Sequence, residues 1–254
     1  MEKRRLRILI TNDDGIHARG LEVLARVCRN IGQVEVVAPD REQSGASHSL
    51  TLLRPLRPMR RPDGAFQVDG TPTDCVLLAL GQLLPDKPDF VFSGINHGPN
   101  IGEDVLYSGT VAAAMEGLSL GIPGVAISLA GGNLDLLETQ EQWLVRLVTR
   151  ILQVQDFPRE TLLNVNIPAI PGDEIRGIRT TTLGKRVYSE AILQTEDPWG
   201  RTVYWIGGGQ SSWSGREDSD FRALREGYIS VTPLHLDLTN YTLLEDVRRW
   251  NLGD

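Results

Sequence analysis

Three short stretches of this chain collect oxygen-bearing side chains on glycine-containing turns, and each follows an apolar run. They are Thr11-Asn12-Asp13-Asp14-Gly15, the stretch 39–45 with Asp40, Glu42 and Ser44, and the stretch 93–100 with Ser93, Asn96 and Asn100. Two adjacent carboxylates are costly unless something positive joins them, because like charges a few ångströms apart raise one pKa or recruit a cation. The only Lys or Arg within the three stretches is Arg41. A set of Asp, Asp, Ser and Asn suits a hard divalent cation such as Mg²⁺, Mn²⁺ or Ca²⁺ rather than Zn²⁺, with its usual Cys and His ligands. The plainer alternative is that Asn12 or Asp13 caps the next helix. Capping needs one such residue, and three in a row leave a surplus.

Ser108-Gly109-Thr110 opens a helix of small residues, Val111 to Ala114. A Ser N-cap with a Gly that permits close approach is a ready anion site, since free N–H groups and the helix dipole both favour phosphate. An ordinary N-cap is the commoner meaning of such a Ser. Beside a carboxylate cluster on the same sheet edge, the pair points to a metal-dependent phosphate site. Thr71-Pro72-Thr73-Asp74 starts another helix, with a structural role. The histidines His17, His48, His97 and His235 show no metal-ligand spacing, although His48 and His97 fall where a substrate could be touched. Arg54, Arg57, Arg60 and Arg61, interleaved with Pro55 and Pro58, read as a solvated loop.

The elements that must carry these residues follow from hydrophobic spacing. A strand is expected over 6–10, a helix over 21–31 stopped by Gly32, and a strand over 34–38 closed by Pro39. Strand, helix and strand within about 30 residues make a βαβ unit with parallel pairing and a right-handed crossover. The rhythm continues with helices over 73–84, 110–120 and around 143–152, and strands over 90–92, 125–129 and 162–167. In such a sheet, ligands bind beyond the carboxyl ends of the strands, where the three stretches lie. After about residue 170 the rhythm changes. Extended segments are expected over 175–187 and 201–206, flexible stretches at 207–209 and 211–215, a strand over 228–232 and a closing helix over 243–250. The expected fold is α/β: a three-layer, doubly wound, mostly parallel core over about 1–170, and a β-rich appendage over 171–254, together one domain.

Composition narrows the class. The 254 residues carry 26 Lys+Arg against 33 Asp+Glu, a net charge of −7, which disfavours binding to a phosphate backbone. Cys28 and Cys75 sit in apolar helical patterns and read as small buried residues, not a disulfide framework. The stretch 118–130 is broken by Ser119, Gly121, Pro123, Gly124 and Ser128, well short of the ~18 residues a membrane span needs. Lys3, Arg4, Arg5 and Arg7 before Ile8-Leu9-Ile10 imitate a secretory signal, but the apolar run stops at Thr11, and the expected location is cytoplasmic. No Gly-x-Gly-x-x-Gly follows the first strand and no P-loop occurs. Neither cysteine has an Arg six residues later, as a cysteine-nucleophile phosphatase needs.

Seven segments together resemble the SurE family, the stationary-phase survival proteins. They are ITNDDG at 10–15, VAPDREQSGAS at 37–47, GTPTDCV at 70–76, SGINHGPN at 93–100, YSGTV at 107–111, LNVNIP at 163–168 and GYISVTP at 227–233. The resemblance implies a metal-dependent nucleoside monophosphate phosphatase. Its single divalent cation, Mg²⁺ or Mn²⁺, would be held by Asp13, Asp14, Ser44 and Asn96. It also implies activity on 5′- and often 3′-nucleotides, in some members on polyphosphate. Homodimers or homotetramers that exchange C-terminal segments and use a protruding hairpin belong to the same implication.

On these grounds the expected reaction is attack of a metal-activated water on a nucleoside monophosphate. Asn96, Ser108, Gly109 and Thr110 would bind phosphate, Asn12 and Asn96 would orient ligands, and Asp13 or Asp14 would help deprotonate the water. A covalent aspartyl-phosphate on Asp13 is the alternative mechanism. A non-catalytic nucleotide-binding regulator and a hydrolase of another ester, such as a sugar phosphate, are the competing functions. Trp199, Tyr204, Trp205 and Trp213 could stack on a base or make oligomer contacts.

Overall fold

The computed structural model describes residues 5–188, 192–206 and 211–252. Strand β1 (Arg7–Thr11), helix α1 (Arg19–Arg29) and β2 (Gln33–Pro39) form the first βαβ unit. Then come β3 (Pro58–Arg60), β4 (Phe66–Val68), α2 (Pro72–Leu78), β5 (Phe90–His97), α3 (Gly109–Ser119), β6 (Gly124–Ala130), α4 (Leu136–Leu152) and β7 (Leu162–Pro168). The remainder comprises β8 (Gly177–Thr180), β9 (Lys185–Tyr188), β10 (Ile192–Glu196), β11 (Thr202–Ile206), β12 (Ser211–Ser214), α5 (Asp220–Arg225), β13 (Tyr228–Leu234) and α6 (Leu244–Arg249).

Nine strands make one sheet in the order β3-β4-β2-β1-β5-β6-β7-β13-β8. The run from β4 to β7 is parallel, as right-handed crossovers require, while β3 and β13 pair antiparallel to their neighbours β4 and β7. Side chains alternate across the sheet, so each strand feeds two cores. Ile8, Ile10, Phe90 and Phe92 pack with α1 and α4 on one face. Leu9 and Val91 pack with Cys75, Val76 and Ala113 of α2 and α3 on the other. Both cysteines are buried and free, as small apolar residues.

Several elements differ from the reading of the sequence. The helix expected over 73–84 ends its regular part at Leu78 and widens into a π turn over Ala79–Leu83, where Leu84 N–H reaches back to Ala79 O. Strand β5 does not stop at Phe92. A bulge at Gly94 and Asn96 lets pairing with β6 continue to His97. Gly94 has φ +137°, and a Cβ there would lie 2.2 Å from Ile127 O, so only glycine can make this bend. Arg60 belongs to β3, not to a loop. The β3–β4 hairpin is three residues per strand and mostly exposed, too short to leave a periodic signal. Part of the segment expected to be flexible, Ser211–Ser214, is β12, paired with β9. Residues 207–209 lie outside the described residues. Strands β8 and β13 of the β-rich part return to the main sheet as paired neighbours, and α5, not expected, precedes β13 in the chain and packs on β13 and β7. The closing helix is a 3₁₀ turn over Tyr241–Leu243 followed by α6.

Candidate metal and phosphate site

Four chain segments meet beyond the carboxyl ends of β1, β2 and β5. The 12–15 turn leaves β1, and Asn12 closes it by donating its amide to Gly15 O at 3.0 Å. Neither Asn12 nor Asp13 caps α1, which begins at Arg19 behind Ala18 with no side-chain cap. The 40–47 loop leaves β2 and is joined to the turn by Gln43 N–H donating to Asp13 O at 2.7 Å. Gly15, at φ +96°, lies against the backbone of Arg41, where a Cβ would come within 3.0 Å. The end of β5 joins through His97 N–H, which donates to Asp14 Oδ2 at 3.2 Å. The start of α3 joins through Thr110, whose hydroxyl donates to Asp13 Oδ1. Gly109 makes that approach possible, because a Cβ would sit 2.9 Å from Asp13 Cβ.

Asp13 is therefore buried, with Asp14 half-buried beside it. Burial pushes the Asp13 carboxyl above its ordinary value of 3.8, opposed by the Thr110 hydrogen bond. Asp14 is pushed up to about 6, first by burial and then by the charge of Asp13, with Glu42 adding to it and the His97 N–H opposing. Among the described residues, neither carboxylate has a Lys or Arg partner. Such a pair has an unmet demand for positive charge. Asn12 Oδ1 is also buried without a partner. No group of three or more His, Cys, Asp or Glu is gathered among the described residues. A cation here would need hydroxyl and amide oxygens as well. Ser44 on the adjoining loop and Asn96 on the adjoining strand are side chains of that kind. Ser44 is exposed and donates to Glu42 Oε1 at 2.7 Å, and Asn96 donates its amide to Gly98 O at 2.8 Å, which leaves its Oδ1 as the acceptor end. The donors fit a hard divalent ion.

At α3, Ser108 Oγ accepts Val111 N–H at 3.1 Å and Ser108 O accepts Ala112 N–H. The N–H groups of Gly109 and Thr110 are the first-turn donors without a carbonyl partner among the described residues, and that of Thr110 hydrogen-bonds the Asp13 carboxyl. The Thr110 hydroxyl is committed to Asp13. His97 donates its ring Nε2–H to Gly132 O, and His48 pairs with Glu116, so both rings are engaged within the protein. His17 contacts Arg61 at 3.2 Å.

Sequence reasoning missed the supports. Asn100 is buried. Its N–H donates to Asn166 Oδ1, its amide to Ser128 Oγ, and its carbonyl accepts from Asn164 and Asn166, all at 2.8–2.9 Å. This knot ties the exit of β5 to β6 and β7. Asp220 grips the next residues by accepting Gly102 N–H at 2.8 Å and Gly184 N–H at 2.9 Å. Polar residues two apart on a buried strand, Asn164 and Asn166, were the available signal.

The family model described as Survival protein SurE matches residues 8–190. A protein of Gemmatimonas aurantiaca named 5′-nucleotidase SurE is 61% identical over 248 residues, covering 96% of this chain and 98% of that one. The chain belongs to the SurE family. A second SurE relative, named 5′-nucleotidase SurE in Methylococcus capsulatus, is 51% identical over 98% of both chains. The crystal structure of the SurE protein from Aquifex aeolicus superposes with a TM-score of 0.84 at 43% identity, covering 96% of this chain and 99% of that one. The SurE motif segments are the ones that supply the four converging segments of the site.

Proposed function

We propose that this chain is a metal-dependent 5′-nucleotidase, hydrolysing nucleoside monophosphates to nucleoside and phosphate at the Asp13–Asp14 site. The observation that carries the reading is the junction of an adjacent carboxylate pair, Asp13 buried and Asp14 half-buried, with the start of α3, made by Thr110 and Gly109 on Asp13. A divalent cation, Mg²⁺ or Mn²⁺, held by Asp13, Asp14, Ser44 and Asn96 would supply Lewis-acid stabilisation of the phosphate and a water of lowered pKa. The N–H groups of Gly109 and Thr110, with the Ser108 hydroxyl, bind the non-bridging phosphate oxygens, and the α3 dipole favours their charge. Asn96 orients the phosphate from the β5 side. Asn12 holds the 12–15 turn in shape, and its Oδ1, buried without a partner among the described residues, orients a ligand. Asp14, the more accessible of the two carboxylates, is placed to take a proton from the attacking water. The committed Thr110 hydroxyl favours the Asp13 carboxylate against burial and fixes its position.

The names of the relatives support the substrate class, and 3′-nucleotides and polyphosphate extend it. Among the described residues no helix is long and apolar enough to cross a membrane. A cytoplasmic homodimer or homotetramer is the working assembly, and no stable complex with nucleic acid is part of it. The test of substrate class is phosphate release from 5′-AMP, 5′-GMP, 5′-CMP, 5′-UMP, 3′-AMP, glucose 6-phosphate and polyphosphate, with Mn²⁺ or Mg²⁺ and with EDTA. Nucleoside monophosphates are expected to lead. Preference for the sugar phosphate would overturn the nucleotidase reading.

A further inference from the structure

The loop that carries Ser44 is fixed at both ends. Gln43 N–H holds Asp13 O, and Thr51 N–H donates to Asp74 Oδ1 at 3.0 Å. Between them, Ser47 adopts a left-handed φ of 52°, unusual for a residue with a side chain. Its N–H donates to Tyr107 O at 3.2 Å and its hydroxyl to Leu106 O at 3.0 Å. One residue on, the His48 ring meets Glu116 of α3, with Nε2 2.8 Å from Oε2. A carboxylate only accepts, so the imidazole donates. The Glu116 side chain is only 12% exposed and has no other charged partner among the described residues. Neither His48 nor Glu116 has a part in the chemistry proposed above. Yet their contact ties the Ser44 loop to the helix whose first turn would bind phosphate.

We propose that His48 and Glu116 are a positioning pair, a strap that holds the Ser44 loop against α3 and so sets cation and substrate affinity at the site. The inference rests on the nucleotidase reading for its effect on substrate, but its effect on the cation can be read without turnover. An ordinary exposed ion pair would contribute little. A strap would be felt at Ser44, four residues away, because it works with the two Ser47 hydrogen bonds to Tyr107 O and Leu106 O that hold the same stretch of loop against the start of α3.

The test uses the full chain stripped of metal, with His48→Ala, Glu116→Ala, the double variant and His48→Gln, which keeps an N–H donor. Mn²⁺ affinity is measured by calorimetry, amide exchange across 44–49 by mass spectrometry, and kcat and KM with 5′-AMP. Either alanine is expected to weaken Mn²⁺ binding and raise KM roughly three- to tenfold, with kcat within about twofold and faster exchange in the loop. The double variant should be no worse than either single one, and His48→Gln should recover most of the loss. Unchanged Mn²⁺ affinity and exchange in the alanine variants would overturn the strap. So would additive losses, a fall in kcat alone, or a wild type that binds no Mn²⁺. A wild type that binds Mn²⁺ but does not hydrolyse 5′-AMP, with binding still weakened in the variants, would uphold the strap and remove the nucleotidase reading.

Discussion

Asp13 and Asp14 are the residues on which the proposed chemistry turns, and their environment argues for a cation before any reaction is considered. Burial raises both carboxyls, and among the described residues neither has a Lys or Arg partner. Asp14→Asn keeps the shape and removes one charge. It is expected to preserve the circular dichroism spectrum and weaken Mn²⁺ binding by at least about a hundredfold. Unchanged calorimetric affinity would remove Asp14 from the site. Gly109→Ala sets two effects against each other. Alanine in place of glycine favours a helix by about 1 kcal/mol, but its Cβ would press on Asp13 Cβ at 2.9 Å. Crowding a packed position costs about 1–3 kcal/mol, so the expected outcome is a melting temperature held or lowered, with turnover down about tenfold or more. Full activity in this variant would contradict the close approach. The carboxylate pair and the Ser-Gly-Thr start of α3 were legible in the sequence because their residue types have few other uses together. That the Thr110 hydroxyl serves Asp13 was not legible, since it depends on a contact spanning 97 positions.

Elements place these residues, and the parallel core was readable from apolar runs and their stops. The extension of β5 to His97 was not. It depends on a bulge at Gly94, and a Ser-Gly pair after an apolar run ordinarily marks a loop. The β3–β4 hairpin left no pattern for the same reason that it buries little. The Asn100 knot was hidden because amides in a strand reveal their partners only when the strands are aligned. Asp220, at the first turn of α5, shows how two effects compete at one buried carboxyl. Burial favours the neutral acid, four backbone N–H groups (Gly102, Gly184, Phe221 and its own) favour the carboxylate, and burial is the larger, so its pKa lies above 3.8. A group raised in the folded state lends stability below its unfolded pKa and loses it as pH rises through the folded value. Wild type should therefore lose stability relative to Asp220→Asn as pH climbs above roughly 4. Urea midpoints of the two proteins across that range give the slope. A relative gain for wild type would mean that the N–H donors outweigh burial.

At the scale of the whole molecule, the change of rhythm near residue 170 is real, but the sheet does not stop there. β13 pairs with β7, and β8 pairs with β13, so the later strands complete the sheet, and Asp220 reaches back to Gly102 beside the site. What projects is the β10–β11 hairpin. Leu193 lies opposite Trp205 on one face and Ile192 opposite Ile206 on the other, and all four are exposed. A two-stranded ribbon with apolar residues on both faces is poorly suited to water and well suited to a second copy of the chain. If the proposed homodimer or homotetramer forms through this hairpin, Trp205→Ser with Ile206→Ser lowers the sedimentation coefficient toward that of a monomer, and an unchanged value would assign the hairpin another role. The central claim, that a cation between Asp13 and Asp14 and the start of α3 make one phosphatase site, has one most direct measurement. It is phosphate release from 5′-AMP by metal-stripped protein as Mn²⁺ is titrated in, alongside Asp14→Asn. Release should be absent at the start, saturate as Mn²⁺ is added, and stay near background in the variant. Release that ignores both the metal and Asp14 would contradict the claim.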